Sequence, residues 1–199
     1  MTDLKNDNAA LNVLLSRRSI RSYRRDSVPD EYIEAMLDAG LYAANGGGHQ
    51  AVRFITIEGF EKVDAFAELV RKELCKLDEN VYTYQAPHIR TSRKNEQYRC
   101  TYGAPLLILA VAPDDFGNSM ADTGCAVQNI MNAACALGLG SCYMNHPHWV
   151  TASEPVRQEM YRLGMKETES IYAGVCVGFS DAPAPNPAPR KENRIIRNK

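Results

Sequence analysis

The stretch from Ser119 to Leu137 is built almost wholly of small residues and methionine, with Gln128, Asn129 and Asn132 embedded in it. Read as a helix it is apolar around much of its circumference, so it has no wide polar face to give to water and must be covered on more than one side. Two settings do that. One is a subunit interface; the other is the inside of a layered fold, and the helix alone does not choose between them.

The flanking segments supply the layers. Pro105 to Ala112 is a continuous apolar run, read as a buried strand. Val52 to Ile57 alternates and is rich in β-branched residues, Ser141 to Met144 is a short strand, and Ile171 to Phe179 a final one. Helical spacing predicts a short helix over Ala10 to Leu15 and a longer one over Asp30 to Ala44. The longer one puts Ile33, Met36, Leu37, Gly40, Leu41 and Ala44 on one face, with Pro29 at its start. Asn45-Gly46-Gly47-Gly48 stops that helix. Phe60 to Leu77 and Pro155 to Leu163 also read as helices. Residues 78–103 show no sustained period and concentrate Tyr82, Tyr84, His88, Arg90, Arg93 and Tyr98, the composition of a lid or binding excursion more than of a linker. Asp181 to Pro189 holds four prolines and opens an extended arm over 181–199 that carries Arg190 and Lys191.

With 199 residues, 45% of them hydrophobic, the chain can bury a full core as one domain, 1–199, of α/β or α+β type. No apolar run approaches the roughly 20 residues needed to span a bilayer, so no membrane association is expected. Six cysteines lie scattered with no Cys-x-x-Cys pair, which argues for reduced thiols in the cytosol and against a metal site. Charge is uneven. Residues 17–25 hold five arginines and no acid, 190–199 hold five basic residues against Glu192, and the middle from Asp26 to Pro189 has 12 Lys and Arg against 21 Asp and Glu. A nucleic-acid partner would call for a broader basic surface; two basic ends suit a compact anion.

Arg17, Arg18 and Arg21 fall within a turn and a half, where guanidinium forks can converge on phosphate oxygens with the Ser19 hydroxyl as a further donor. The same run can also be a solvated face. Arg17-Arg18-Ser19-Ile20-Arg21, followed by Tyr23 and Val28-Pro29, resembles the opening motif of the nitroreductase family. Ala43 to Phe54 is similar to that family's glycine-containing block, Tyr102 to Ile108 to the start of its strand, Asp122 to Gly140 to its interface helix, and Val177-Gly178-Phe179 with Pro189-Arg190-Lys191 to its close.

The resemblance implies an α+β fold, a three-layer α/β/α sandwich around a central, mostly antiparallel sheet with an extended C-terminal arm. It also implies a homodimer with FMN at its interface, reduced transiently by NADH or NADPH. Carried over, Arg17, Arg18, Ser19, Arg21 and Arg190 would hold the phosphate and ribityl chain. Asn45, Gly46, Gly48 and Gln50 would come from the glycine-rich loop, and Tyr143, Met144, Asn145 and His146 would face the reactive edge of the ring through backbone amides. Where the family has Pro-Ser, Asn and Pro-Trp, this chain has Ala44-Asn45, Gly48 and Ala51-Val52. His146 and His148 are either proton donors or surface groups. Gly138-Leu139-Gly140 follows a helix instead of a strand, which speaks against a dinucleotide fold.

The resemblance thus implies a ping-pong oxidoreductase acting on a small electron-poor acceptor such as a nitroaromatic, quinone or enone, with the flavin and no side chain carrying the chemistry. Two alternatives stand beside it. One is a relative specialised for dehalogenation, dehydrogenation or flavin fragmentation, in which Tyr82, Tyr84, His88, Arg90 and Arg93 select the substrate; the other is a flavin carrier or sensor without turnover.

Overall fold

In the computed structural model the described residues are 8–198, and residues 1–7 and Lys199, the last of the expected arm, lie outside them. The elements run α1 Ala9–Ser16, α2 Asp30–Leu41, β1 Arg53–Glu58, α3 Phe60–Leu74, α4 Ala86–Lys94, β2 Leu106–Pro113, α5 Ser119–Ala136, β3 Gly140–Met144, α6 His146–Trp149, α7 Glu154–Arg162 and β4 Glu169–Gly178. The four strands form one sheet in the order β1-β2-β4-β3, each neighbouring pair antiparallel. β2 is therefore interior, which is what its unbroken apolar run requires.

Alternate residues of the strands feed two cores. Leu107, Leu109, Val111, Cys142, Met144 and Cys176 meet Val63, Phe66 and Val70 of α3 and Val156 and Met160 of α7 on one face. Leu106, Ile108, Ala110, Ala173, Val175 and Val177 meet Ile33 and Met36 of α2 and Val127, Ile130 and Ala134 of α5 on the other. The result is the expected three-layer α/β/α sandwich. A bulge between Ala110 and Val111 keeps these faces in phase past the point where Tyr172 of β4 has no partner on β2.

α5 buries Thr123, Ala126, Val127, Ile130 and Ala134, whereas Met120, Gly124, Cys125 and Gln128 stay exposed on its outer side. α2 crosses it at Gly40, where an added Cβ would come within 2.7 Å of Phe54 and 2.9 Å of Ile130. α2 ends at Leu41, three residues before the predicted Ala44. Its last turn tightens into an Ala43 N–H bond to the Gly40 carbonyl, and Asn45 then folds the loop with its own side chain, donating to the Ala43 carbonyl and accepting from the Gln50 amide.

The segment 78–103 is not aperiodic throughout, since α4 lies within it. Its buried face is only Ala86, Ile89 and Ser92, one small or apolar residue per turn, too thin a stripe to read from the sequence. Pro87 in its first turn suits a helix start. The four-residue α6 was likewise not expected.

Residues 17–24 cover the outer edge of β3. Ser19 bridges Ser141 in parallel, Ile20 N–H donates to the Ser141 carbonyl at 3.0 Å, and Tyr23 bridges Ser180 beyond the end of β4. This close approach needs Gly140: a Cβ there would lie 2.9 Å from three Ile20 side-chain atoms. From 181 onward the described arm is exposed and lacks regular structure, anchored at its root by Ser22 Oγ donating to Asp181 at 2.8 Å. Among the described residues no helix is long and apolar enough to cross a membrane.

Candidate functional site

The N-terminal strap and β3 together bring several donors to one place. Arg17 caps the C-terminus of α1 while Ser19 and Arg21 follow along the strand edge, and all three act on the Cys142 thiol of β3. That thiol is lowered to about 7: the adjacent Cys176 thiol has the largest effect, followed by the Arg21 charge, the Ser19 hydroxyl and the Arg17 charge, all against burial. Neither Arg17 nor Arg21 forms an ion pair with a described carboxylate. Arg21 instead leans toward the Tyr102 ring, its guanidinium carbon 5.9 Å from the centroid. Beside them Ser141 Oγ is buried without a hydrogen-bond partner. Two uncommitted guanidinium groups, a hydroxyl and an orphaned buried hydroxyl are the donor set a phosphate ester would satisfy.

Arg18 is placed differently. Its Nη1 turns back to the carbonyls of Leu15 and Arg17, both at 2.7 Å, where it completes the C-terminal turn of α1. Arg190 is exposed on the arm and makes no hydrogen bond or ion pair with residues 17–21.

The glycine-rich loop lies elsewhere. Gly46–Gly48 forms a single tight turn with Gly47 and Gly48 at φ of 61° and 70°, and Gln50 also takes a positive φ of 48°. The Gly46 amide donates to both carboxylate oxygens of Asp122, at 3.0 and 3.1 Å, which pins the turn to the first turn of α5. Asn45 is spent on folding the loop, and His49 packs on Phe116 with ring centroids 5.1 Å apart. This loop leads into β1, whereas the arginines sit on β3. Those strands are opposite edges of the sheet, three strand spacings or about 14 Å apart, and the loop enters β1 at Arg53, level with Val111 and Ile171, whereas Ser19 bridges Ser141, level with Val177 and Leu106 at the other end of the strands. One chain thus does not bring Arg17, Ser19 and Arg21 together with Asn45, Gly46, Gly48 and Gln50.

After β3 the chain turns through Asn145 into α6. Met144 is buried in the core and offers only its backbone, whereas Tyr143 stays 37% exposed on the outer side of the edge strand. His146 is buried: its Nε2 lies 3.1 Å from both Tyr98 Oη and His88 Nδ1, and His88 Nδ1 lies 3.3 Å from Tyr98 Oη. Burial, reinforced by His88, lowers His146 to about 3, and burial lowers His88 as well. Trp149 packs on both imidazoles and Tyr84 meets its edge. His148 faces away, its Nδ1 2.7 Å from the Ile171 carbonyl.

Within 78–103, Tyr84 is 75% and Tyr82 41% exposed. Arg90 and Arg93 are both paired with Glu79, at 2.7 and 3.2 Å, and Arg93 also donates to the carbonyls of Cys75 and Leu77 at the end of α3. These two cations brace α4 on α3. The sequence does not single out Asp122, Cys142, Tyr98 or Trp149 as site residues. Only Asp122, a lone carboxylate on the buried face of an otherwise small-residue helix, leaves a signal there; the others gain meaning from partners far away along the chain.

The sequence profile of the Nitroreductase family matches residues 14–179. A nitroreductase from Bacteroides fragilis, solved with bound FMN, superimposes with a TM-score of 0.88 at 26% identity, covering 96% of this chain and all of its own. A second nitroreductase with bound FMN, from Desulfitobacterium hafniense, gives a TM-score of 0.79 at 23% identity over 96% of this chain and 99% of its own. The NADPH-flavin oxidoreductase of Vibrio harveyi is 23% identical over 190 residues, 95% of this chain and 72% of that protein. The match runs from the end of α1 through β4, spanning the arginine strap, the sandwich and the long helix α5, and the chain belongs to the nitroreductase family.

Proposed function

We propose that this chain is an FMN-dependent oxidoreductase that works as a homodimer, takes reducing equivalents from NADH or NADPH and delivers them to a small electron-poor acceptor by a ping-pong route. The observation that carries the reading is the convergence of Arg17, Ser19 and Arg21 on one place at the β3 edge, unpaired by any described carboxylate, in a chain of this family. Bound there, FMN would supply two-electron chemistry, accepting hydride from the nicotinamide and passing it on.

In this reading Arg17 and Arg21 clamp the phosphate and Ser19 donates to it, while the exposed arm is free to bring Arg190 to the same group. Backbone amides from Tyr143 to His146 would be the donors that stabilise the electron-rich reduced ring. Asn45, Gly46, Gly48 and Gln50 precede β1, the opposite edge strand, and in this reading they serve the site of a second copy. The exposed outer side of α5, with Met120, Gly124, Cys125 and Gln128, supplies an apolar, small-residue surface for that pairing.

The acceptor follows from what the lid leaves free. With Arg90 and Arg93 paired to Glu79 and to carbonyls, the exposed or partly exposed groups of the lid and the neighbouring β3 and α6 include the aromatic Tyr82, Tyr84, Tyr143 and Trp149. They favour a planar, uncharged acceptor such as a quinone or nitroaromatic over an anion. The test is an absorption spectrum of the purified protein followed by anaerobic reduction with NADH and with NADPH against quinone and nitroaromatic acceptors. A colourless protein that fails to bind added FMN would end the proposal, and flavin binding without steady turnover would leave only a carrier.

A further inference from the structure

We propose that His88 Nδ1, His146 Nε2 and Tyr98 Oη form a binding site for a divalent transition-metal ion of the Zn2+ or Cu2+ type, tying α4 and the loop after it to α6. The three atoms come from three separate segments and close a triangle with sides of 3.1, 3.1 and 3.3 Å. Donors bound at about 2.0–2.2 Å to one ion lie about 3.0–3.4 Å apart across a face of its coordination shell, and the triangle has that size.

Hydrogen bonding leaves one side of the triangle without a proton. A ring nitrogen either carries a proton or presents a lone pair, never both, and only the phenol can donate and accept at once. Once Tyr98 donates to His146 Nε2 and His88 Nδ1 donates to Tyr98, the contact between the two imidazoles has no proton of its own. A cation at the centre uses all three lone pairs. The ring orientations agree: the His88 and His146 centroids are only 4.6 Å apart with planes at 88°, closer than an in-line N–H to N bond across 3.1 Å permits.

Two imidazoles and a phenol oxygen suit zinc or copper and not calcium or magnesium. Trp149 walls one side, 4.8 Å from the His146 ring and 5.4 Å from that of His88, and the partial exposure of His88 and Tyr98 leaves an approach for the ion and for water as a further ligand. Among the described residues no three His, Cys, Asp or Glu side chains form such a group, because here the third donor is a tyrosine. Binding as phenolate releases the Tyr98 proton to solvent.

The experiment is calorimetric titration of Zn2+ into chelator-treated protein, in buffers of differing ionisation enthalpy, with and without FMN so that the result does not depend on the flavin reading. One ion per chain is expected, with release of about one proton from Tyr98. Affinity should fall at least about tenfold in His88→Ala and in Tyr98→Phe, with Tyr98→Phe also losing its share of the proton release. Cu2+ electron paramagnetic resonance should show coupling to two nitrogens, and one in His88→Ala. Thermal melts check that both variants are folded. A wild-type protein without a saturable site, or a folded His88→Ala that binds Zn2+ as tightly as wild type, overturns the proposal and leaves the cluster a hydrogen-bonded latch.

Discussion

The two edges of the sheet divide the work. The β3 edge carries charge: a strap with Arg17, Ser19 and Arg21, held to Ser141 by backbone bonds and arranged around Cys142. The β1 edge carries shape: a neutral tight turn, Gly46–Gly48, fastened by Asp122 and by the side chain of Asn45. Arg17 and Arg21 at the first edge have no described carboxylate partner; at the second edge the side chains are consumed in holding the backbone. In the proposed reading the first edge attracts the phosphate and the second, from another copy, approaches the ring.

The largest effect expected from this division is on cofactor affinity. Replacing Arg17 and Arg21 together by Ala removes two charge-assisted contacts of about 1.5–3 kcal/mol each, so fluorescence titration should show FMN binding weakened by at least about 100-fold. Arg18→Ala, whose guanidinium serves α1, should leave that titration within about threefold of wild type; an equal loss would erase the distinction between Arg18 and its neighbours.

Next in size is Gly140→Ala. The added methyl must displace Ile20, and overpacking of this kind costs about 1–3 kcal/mol, visible as a lower thermal midpoint together with weaker FMN binding because the strap moves. Asp122→Asn acts on the opposite edge. It removes the charge from the two Gly46 contacts and should cost about 1 kcal/mol in stability, while the phosphate end of the site, read with inorganic phosphate as the probe, is untouched. If phosphate affinity falls in Asp122→Asn, the edges are not independent.

The smallest effect is a pH dependence at the charged edge. Cys142 ionises at about 7 in the free protein, and its thiolate competes with a phosphate for Arg17 and Arg21. The bound phosphate raises that value, so the complex holds the proton more tightly than the free protein. FMN affinity therefore falls severalfold as pH rises from 7 to 9. Cys142→Ser, which puts a hydroxyl of similar size that does not ionise in this range in place of the thiol, should flatten the profile; an unchanged slope would remove Cys142 from the site.

Much of the architecture is legible in the order of the amino acids. Binary patterning locates all four strands and the long helices to within a few residues, because their buried faces repeat at the strand or helix period. α4 and α6 escape because their buried stripes are one residue wide or one turn long. The arginine strap is visible as a charge run, though the division of labour within it is not: Arg17, Arg18 and Arg21 are the same residue type, and only the end of α1 takes Arg18 away. The basic residues of 78–103 read as substrate contacts from composition, yet Glu79 and the carbonyls at the end of α3 claim Arg90 and Arg93.

The sequence by itself determined the strands and long helices, the family resemblance and the presence of a concentrated run of arginines, since periodicity, motif order and charge density can be read along the chain. The tertiary structure decided which polar groups remain free to bind anything. That depends on partners distant in sequence: Cys142 beside Arg21, Asp122 under Gly46, Tyr98 between His88 and His146. A side chain already satisfied inside the fold has nothing left for a ligand, and satisfaction is a matter of three-dimensional neighbours.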